Sequence, residues 1–429
     1  MVLSSPRPLS AAPPAAVAWL EALLSAGPSS PVATDVPGLA ARPQAQAALL
    51  QAPWPHRRQE HWRFTDPTPI TAVPPQLLVP HRAAPPAPGP EVARLQLDAG
   101  ADGLSAALLP AGVEPVPAAE LAARTGAVLQ ACGSDQAWPV LFNTATAERL
   151  VALRVTAAVP STLELVADAG TASGVLPLRV LLLLEPDASL DVFQVQRAAG
   201  SSLTSLVLEA DLAPGARLRH SLLAQGDPRA VLLAHLAVRQ APGSHCSLTS
   251  VSSGWGLSRL EPQVVQSAGA AHSRLRGLQV VHDRQIADTH SLVCFQGPDG
   301  VLDQEHRAVA DGTGRSVFNG AVRVPRAAQG TNAAQLSRNL LLSDRARIDT
   351  KPELEIVADD VSCRHGATVS RLQAEELFYL QSRGIGADQA ARLLRRGFCG
   401  AVLTELPAAA APWDPLAGLI AAASLPPQP

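Results

Sequence analysis

From about Leu141 to Val369 the chain alternates short runs of Val, Leu and Thr with breaks of Gly, Pro, Asp and Ser, the texture of many short strands. One break recurs. Pro186-Asp187-Ala188-Ser189-Leu190 is followed by Pro214-Gly215-Ala216-Arg217-Leu218, Pro242-Gly243-Ser244-His245-Cys246 and Ala268-Gly269-Ala270-Ala271-His272. Counted from Asp187 through Gly215 and Gly243 to Gly269, the steps are 28, 28 and 26 residues. A fixed period of this size marks a solenoid, in which each coil buries its apolar face only by stacking on the next. At two or three short strands per coil, about 27 residues make one turn of a β-helix. An ordinary β-sandwich with evenly spaced turns is the other reading of the same pattern.

Outside this stretch the texture changes. Nearly half of the 39 prolines fall in the first 90 residues, which predicts short helices and linkers rather than one packed core. Ala15–Leu24 reads as a short amphipathic helix, and Pro85-Pro86-Ala87-Pro88-Gly89-Pro90 as a linker. After Val369, a helix over Ala374–Ser382 stops at Arg383-Gly384, and a second over Asp388–Arg396 lines up Ala390, Leu394 and Phe398 on an apolar face that needs a partner. The boundaries follow: residues 1–95 a Pro-rich helical N-terminal domain and linker, 96–369 a β-helix core, 370–429 a C-terminal helical domain whose end after Pro407 reads as a ragged tail.

Composition removes several function classes. A net charge of -3 with dispersed arginines gives no basic field for a phosphate backbone, so nucleic acid is not an expected partner. No apolar run is long enough to cross a bilayer; the best, Leu176–Leu184, contains Arg179. Lys351 is the only lysine and precedes Pro352, so no Walker A loop exists and any ATP must be hydrolysed by a partner. Cys132, Cys246, Cys294, Cys363 and Cys399 stand far apart without a CxxC pair, which suits a reducing compartment and excludes a self-contained zinc ribbon or ferredoxin-type site.

The run from Lys351 through Glu353-Leu354-Glu355-Ile356, Asp359-Asp360-Val361-Ser362-Cys363-Arg364-His365-Gly366 to Val369 resembles the C-terminal core of the SufB/SufD family of iron–sulfur cluster assembly scaffolds. Glu376-Leu377-Phe378-Tyr379-Leu380-Gln381-Ser382-Arg383-Gly384-Ile385, Arg392-Leu393-Leu394 and Gly397-Phe398 continue the match. Val317-Phe318-Asn319-Gly320, the stretch Ala328–Gln335, Asn339–Asp344 and His61-Trp62-Arg63-Phe64-Thr65-Asp66 are similar to the SufD branch. The resemblance is strong over residues 280–405; Arg364 and Ser370 depart from the residues usual at those places.

This resemblance implies a mainly β protein, a right-handed parallel β-helix flanked by helical N- and C-terminal domains. It implies a non-catalytic subunit in a complex with SufB, joined through the β-helix edge, and with the ATPase SufC, docked on the C-terminal helices. A transient Fe–S cluster would form at the interface with SufB, in the bacterial cytoplasm or the plastid stroma, the cytoplasm preferred. Stoichiometry, electron source and the binding of a reduced flavin are not written in these residues.

The candidate ligands are Cys363 and His365, two apart in a strand and therefore on one face, with Arg364 on the other. Thiolate and imidazole are ligands that iron accepts, and a partial set suits a cluster that is passed on. Leu377, Phe378, Tyr379, Leu394 and Phe398 form the candidate SufC surface. Bland readings stand beside these: Cys363 as a small core residue, His365 as an ordinary strand histidine, the helical residues as core. Asp359 and Asp360 read as structural, His282, His290 and His306 are spaced too irregularly for a metal set, and Trp62 and Phe64 read as packing residues. Two further functions compete, a purely structural support for SufB and a carbohydrate-active β-helix enzyme. The second lacks aromatic platforms, since aromatic residues make up only 3% of the chain.

Overall fold

The computed structural model describes residues 13–26, 37–78, 85–97 and 109–416, and within them the chain is a parallel β-solenoid with helices at both ends. Two nine-stranded sheets face each other across its lumen. Sheet I contains β1 (Val92–Gln96), β4 (Ala158–Asp168), β6 (Ser189–Arg197), β8 (Arg217–Gln225), β10 (His245–Ser253), β12 (His272–Val281), β14 (Val301–Ala310), β16 (Asn332–Leu341) and β18 (Ser362–Ser370). Sheet II contains β2 (Val113–Pro115), β3 (Val151–Val155), β5 (Gly174–Leu184), β7 (Ser202–Leu212), β9 (Val231–Gln240), β11 (Leu257–Gln266), β13 (Ile286–Phe295), β15 (Arg315–Val324) and β17 (Arg347–Ile356). Each coil therefore supplies one strand to each sheet. All pairings are parallel except β2 with β3, which is antiparallel.

The recurrent turn stacks into a column at one corner. Asp187, Gly215, Gly243, Ala270, Asp299 and Gly330 all take positive φ there. Each donates its backbone N–H to the next turn, Gly215 to Pro242 at 3.2 Å and Gly243 to Ala270 at 2.9 Å, for example. The fourth member is thus Ala270, one residue beyond the Gly269 of the sequence count. Gly269 and Ala270 both have positive φ, so that turn takes one more residue before the stack resumes. The column then continues through Asp299 and Gly330, two turns the sequence count had not included.

The lumen is aliphatic at its start, with Leu163, Leu178, Leu182, Leu190 and Leu206 among its fully buried residues. Towards the C-terminal end it becomes polar. There Gln279, Thr289, Ser291, Gln304, Ser316 and Gln335 hydrogen-bond among themselves.

Both outer faces are covered. Helices α1 (Pro14–Ser25), α2 (Arg42–Gln51), α3 (Thr68–Thr71), α4 (Ala118–Arg124), α5 (Ala127–Cys132) and α6 (Trp138–Thr146) lie on the side of sheet II. Trp19, Trp54, Trp138 and Phe142 stack there against Val175, Leu203 and Val231. The proline-rich N-terminal region does build a core, but one whose floor is the sheet. After β18, α7 (Ala374–Ser382) leads into α8 (Ala387–Leu403), which returns along sheet I and places Cys399 and Val402 against Val195, Leu223 and Leu278.

Residues expected as a ragged tail are ordered as far as they are described. The 3-10 helix Ala408–Trp413 buries Ala409, Ala410 and Trp413 over the first coils, and residues 417–429 lie outside the described part. The partner that the apolar face of α8 needs is the flank of its own solenoid. No helix among the described residues is long and apolar enough to cross a membrane.

Candidate functional site at the open end

Among the described residues no strand or helix caps the last coil of the solenoid. β17 and β18 each have a single neighbour, β15 and β16, and so present a free backbone edge. Ile356, Val357 and Val369 line this end at 40%, 52% and 47% exposure, large values for apolar residues on strand termini.

Cys363 and His365 stand on the last rung. Cys363 pairs in register with Ala333 and His365 with Gln335, and both partners are buried in the lumen. Because side chains alternate along a strand, Cys363 and His365 continue the lumen-facing columns, while Arg364, over Ala334, belongs to the outward set. Cys363 is half-buried against the main core, and His365 is exposed. Burial pushes the Cys363 thiol above its ordinary value, and a hydrogen bond with the Ala333 backbone opposes the shift.

The other thiols are less available. Cys246, deep in the lumen, is pushed up to about 12 by burial, Cys132 to about 12 and Cys399 to about 11. Among the described residues no three His, Cys, Asp or Glu side chains gather to hold a metal ion. What the open end offers is one thiol and one imidazole on a single face.

The other candidates are dispersed. His306 lies in the lumen stacked on Phe318 at 4.2 Å between ring centroids, His290 sits outside sheet II beside Asp288, and His282 is buried at the end of β12. Asp359 and Asp360 occupy the corner between β17 and β18, where Asp360 accepts from Gly330 N at 2.7 Å and donates its own N–H to Gln329 at 2.9 Å. They are turn residues, not neighbours along a strand. Of the helical candidates, Leu377, Leu394 and Phe398 are half-buried, with the Arg307 guanidinium 5.2 Å from the Phe398 ring. Phe378 and Tyr379 are 71% and 58% exposed.

One cluster is not apparent from the sequence. Outside sheet II, beneath the N-terminal segment, Arg259 pairs with Asp288 and Glu261, Thr65 hydrogen-bonds Asp288, and the ring of Trp62 lies 4.1 Å from the Arg259 guanidinium carbon. Burial works to raise the carboxyls of Asp288 and Glu261, but Arg259 and the neighbouring histidines overcome it and hold both below their ordinary range.

His235 Nε2 meets Ser134 Oγ at 2.9 Å and its Nδ1 meets Glu261 at 3.0 Å, the relative placement of an acyl-transfer triad. Ser134 is only 3% exposed and His235 is fully buried, so the relay pins the end of α5 to the sheet instead of facing a substrate. The register Arg259↔Asp288 and the segment Glu60–Asp66 were the available signals; a contact across some 200 residues is not among them.

The sequence profile of the SUF-system FeS cluster assembly SufBD core domain matches residues 167–398. An iron–sulfur cluster assembly SufBD family protein of Synechocystis sp. is 37% identical over 54% of this chain and 53% of its own length. A chloroplastic Arabidopsis thaliana protein, ABCI7, is 37% identical over 53% of this chain and 49% of its own. The iron–sulfur cluster assembly protein SufD of Escherichia coli is 33% identical over 46% of each. The chain thus spans about half the length of the curated relatives it matches. With that domain covering more than half of its residues and laid over the coils that end in the open edge, the chain belongs to the SufBD family of iron–sulfur cluster assembly proteins.

Proposed function

We propose that this chain is a SufD-like scaffold subunit whose open solenoid end joins the matching end of SufB, with a nascent Fe–S cluster built between them. The observation that carries this reading is the coincidence, on the last coil, of two free strand edges with Cys363 and His365 on the lumen face. Pairing with another parallel solenoid satisfies the edge hydrogen bonds and covers Ile356, Val357 and Val369. A thiolate and an imidazole then supply part of a ligand set that the partner completes. Incomplete ligation from each side makes the cluster a cargo that a change in the interface can release.

ATP is hydrolysed in this scheme by SufC, docked on the exposed side of α7 at Phe378 and Tyr379. The setting is the bacterial cytoplasm or the plastid stroma. Iron and acid-labile sulfide are measured in the reconstituted complex carrying Cys363→Ser or His365→Ala. Assembly of the complex with depleted iron and sulfide is the expected result. Full cluster content in both variants would leave the subunit as a structural support for SufB.

A further inference from the structure

The sequence segments Val317–Gly320 and Ala328–Gln335 end on two residues that face each other across the lumen, directly below His365. Gln335 is 3% exposed and donates its Nε2 to Gln304 Oε1 at 3.0 Å. Gln304 in turn donates its Nε2 to Ser291 Oγ at 2.7 Å. The direction of this relay fixes the Gln335 amide, with its nitrogen committed downwards and its carbonyl oxygen buried without a protein partner.

From the opposite sheet, Gly320 leaves the room that the amide needs. A Cβ there would lie 2.2 Å from Gln335 Nε2 and 2.8 Å from the Gln335 amide carbon. Ser337 is engaged by Asn339 at 2.9 Å and by Thr350 at 3.0 Å; the Asn339 carbonyl oxygen is likewise without a partner, but its rung lies below Val369 and not below His365. On sheet II the rung above Gly320 is Pro352, which brings no donor. On sheet I the rung above Gln335 is His365, one strand spacing of about 4.8 Å away.

We propose that Gln335 is the positioning residue for His365. Its carbonyl oxygen, unpartnered in the structure, accepts the imidazole N–H when the exposed His365 side chain turns inward over it, fixing one tautomer and leaving the other ring nitrogen bare towards the open end. The proposal rests on the reading of His365 as an iron ligand and supplies what that reading needs, since a ligating imidazole is oriented by the partner of its second nitrogen. Gly320 acts through Gln335.

The test is read without iron. The full chain is labelled with 15N-histidine, and the two ring-nitrogen shifts of His365 are recorded where its imidazole is neutral. The wild type is expected to show one protonated and one bare nitrogen, the signature of a single tautomer. In Gln335→Leu the two shifts should converge towards a tautomer mixture, and in Gly320→Ala, which keeps the glutamine but displaces its amide, they should move the same way. Gln335→Glu retains an acceptor and should restore the single tautomer. Unchanged shifts in both Gln335→Leu and Gly320→Ala would overturn the assignment. Cluster retained by a His365→Ala complex would instead remove the ligand reading beneath it, and the two failures are separate because the nitrogen shifts do not depend on iron.

Discussion

The indole Nε1 of Trp413 donates to Glu164 Oε1 at 2.7 Å, joining the C-terminal strap to the first full-length strand of sheet I. The Arg94 and Arg197 guanidiniums each lie 5.8 Å from the Trp413 ring, and Arg94 also pairs with Glu164. The strap that begins at the open end is therefore latched at the far end of the same sheet. Trp413→Ala removes a buried aromatic and its hydrogen bond, and is expected to cost about 3–5 kcal/mol. A lower urea midpoint at unchanged slope checks it. A midpoint equal to wild type would show that the strap is latched elsewhere.

Asp288 is wholly buried between Arg259 and Thr65. Asp288→Ala leaves the Arg259 guanidinium, 2% exposed, short of a partner, with an expected cost of about 3–5 kcal/mol. Thr65→Val, which leaves the ion pair standing, should cost about 1–3 kcal/mol as the loss of one buried hydrogen bond. Chemical denaturation orders the two variants, and equal losses would contradict an ionic origin.

Acid stability should depend on lumen histidines. Burial holds His220 down at about 4 and His306 at about 3, against an ordinary value of 6.5. The unfolded chain binds these protons first, so their contribution is complete above pH 6.5 and is lost as the pH falls towards those folded-state values. Each histidine adds a slope of up to about 1.4 kcal/mol per pH unit in that window. His306→Leu should flatten the dependence of unfolding free energy between pH 6.5 and 4.5 and leave it unchanged above pH 7.5. An identical slope in the variant would mean that other groups govern acid unfolding.

Phe378 and Tyr379 stand free on α7, with the Arg383 guanidinium 5.4 Å from the Tyr379 ring. Phe378→Ser is expected to shift folding stability by less than about 0.5 kcal/mol. If this face docks SufC as proposed, the same change should weaken capture of SufC by about 2 kcal/mol, roughly thirty-fold. Titration of the purified proteins measures it. Unaltered affinity would move the docking surface away from α7.

The solenoid was legible because its turns are: Asp187, Gly215 and Gly243 tolerate the positive φ that each corner demands, and strand length fixes the spacing between them. That Cys363 and His365 share a face was legible for a related reason, since the period of a strand alone puts residues two apart on one side. The environment of Arg259, Glu261, Asp288 and His290 was not. Their alternation along β11 and β13 reads as a solvated outer face, and only the return of Trp62 and Thr65 over that face converts it into a buried ion cluster. Phe398 announced an apolar helix face without naming what lies against it; the answer, sheet I, depends on the direction the chain takes after Gly384. Trp413 was hidden by its proline-rich surroundings, which say nothing about a hydrogen bond to Glu164.

His365 is proposed to ligate the nascent cluster from the open end of the lumen. Pulsed EPR on the reduced, cluster-loaded complex, with only this subunit carrying 15N-histidine, tests it most directly. A strong 15N hyperfine coupling is expected, one that disappears in His365→Ala and survives substitution of His290 and His306. Absence of any histidine coupling in the wild-type complex, at full iron and sulfide content, would contradict it.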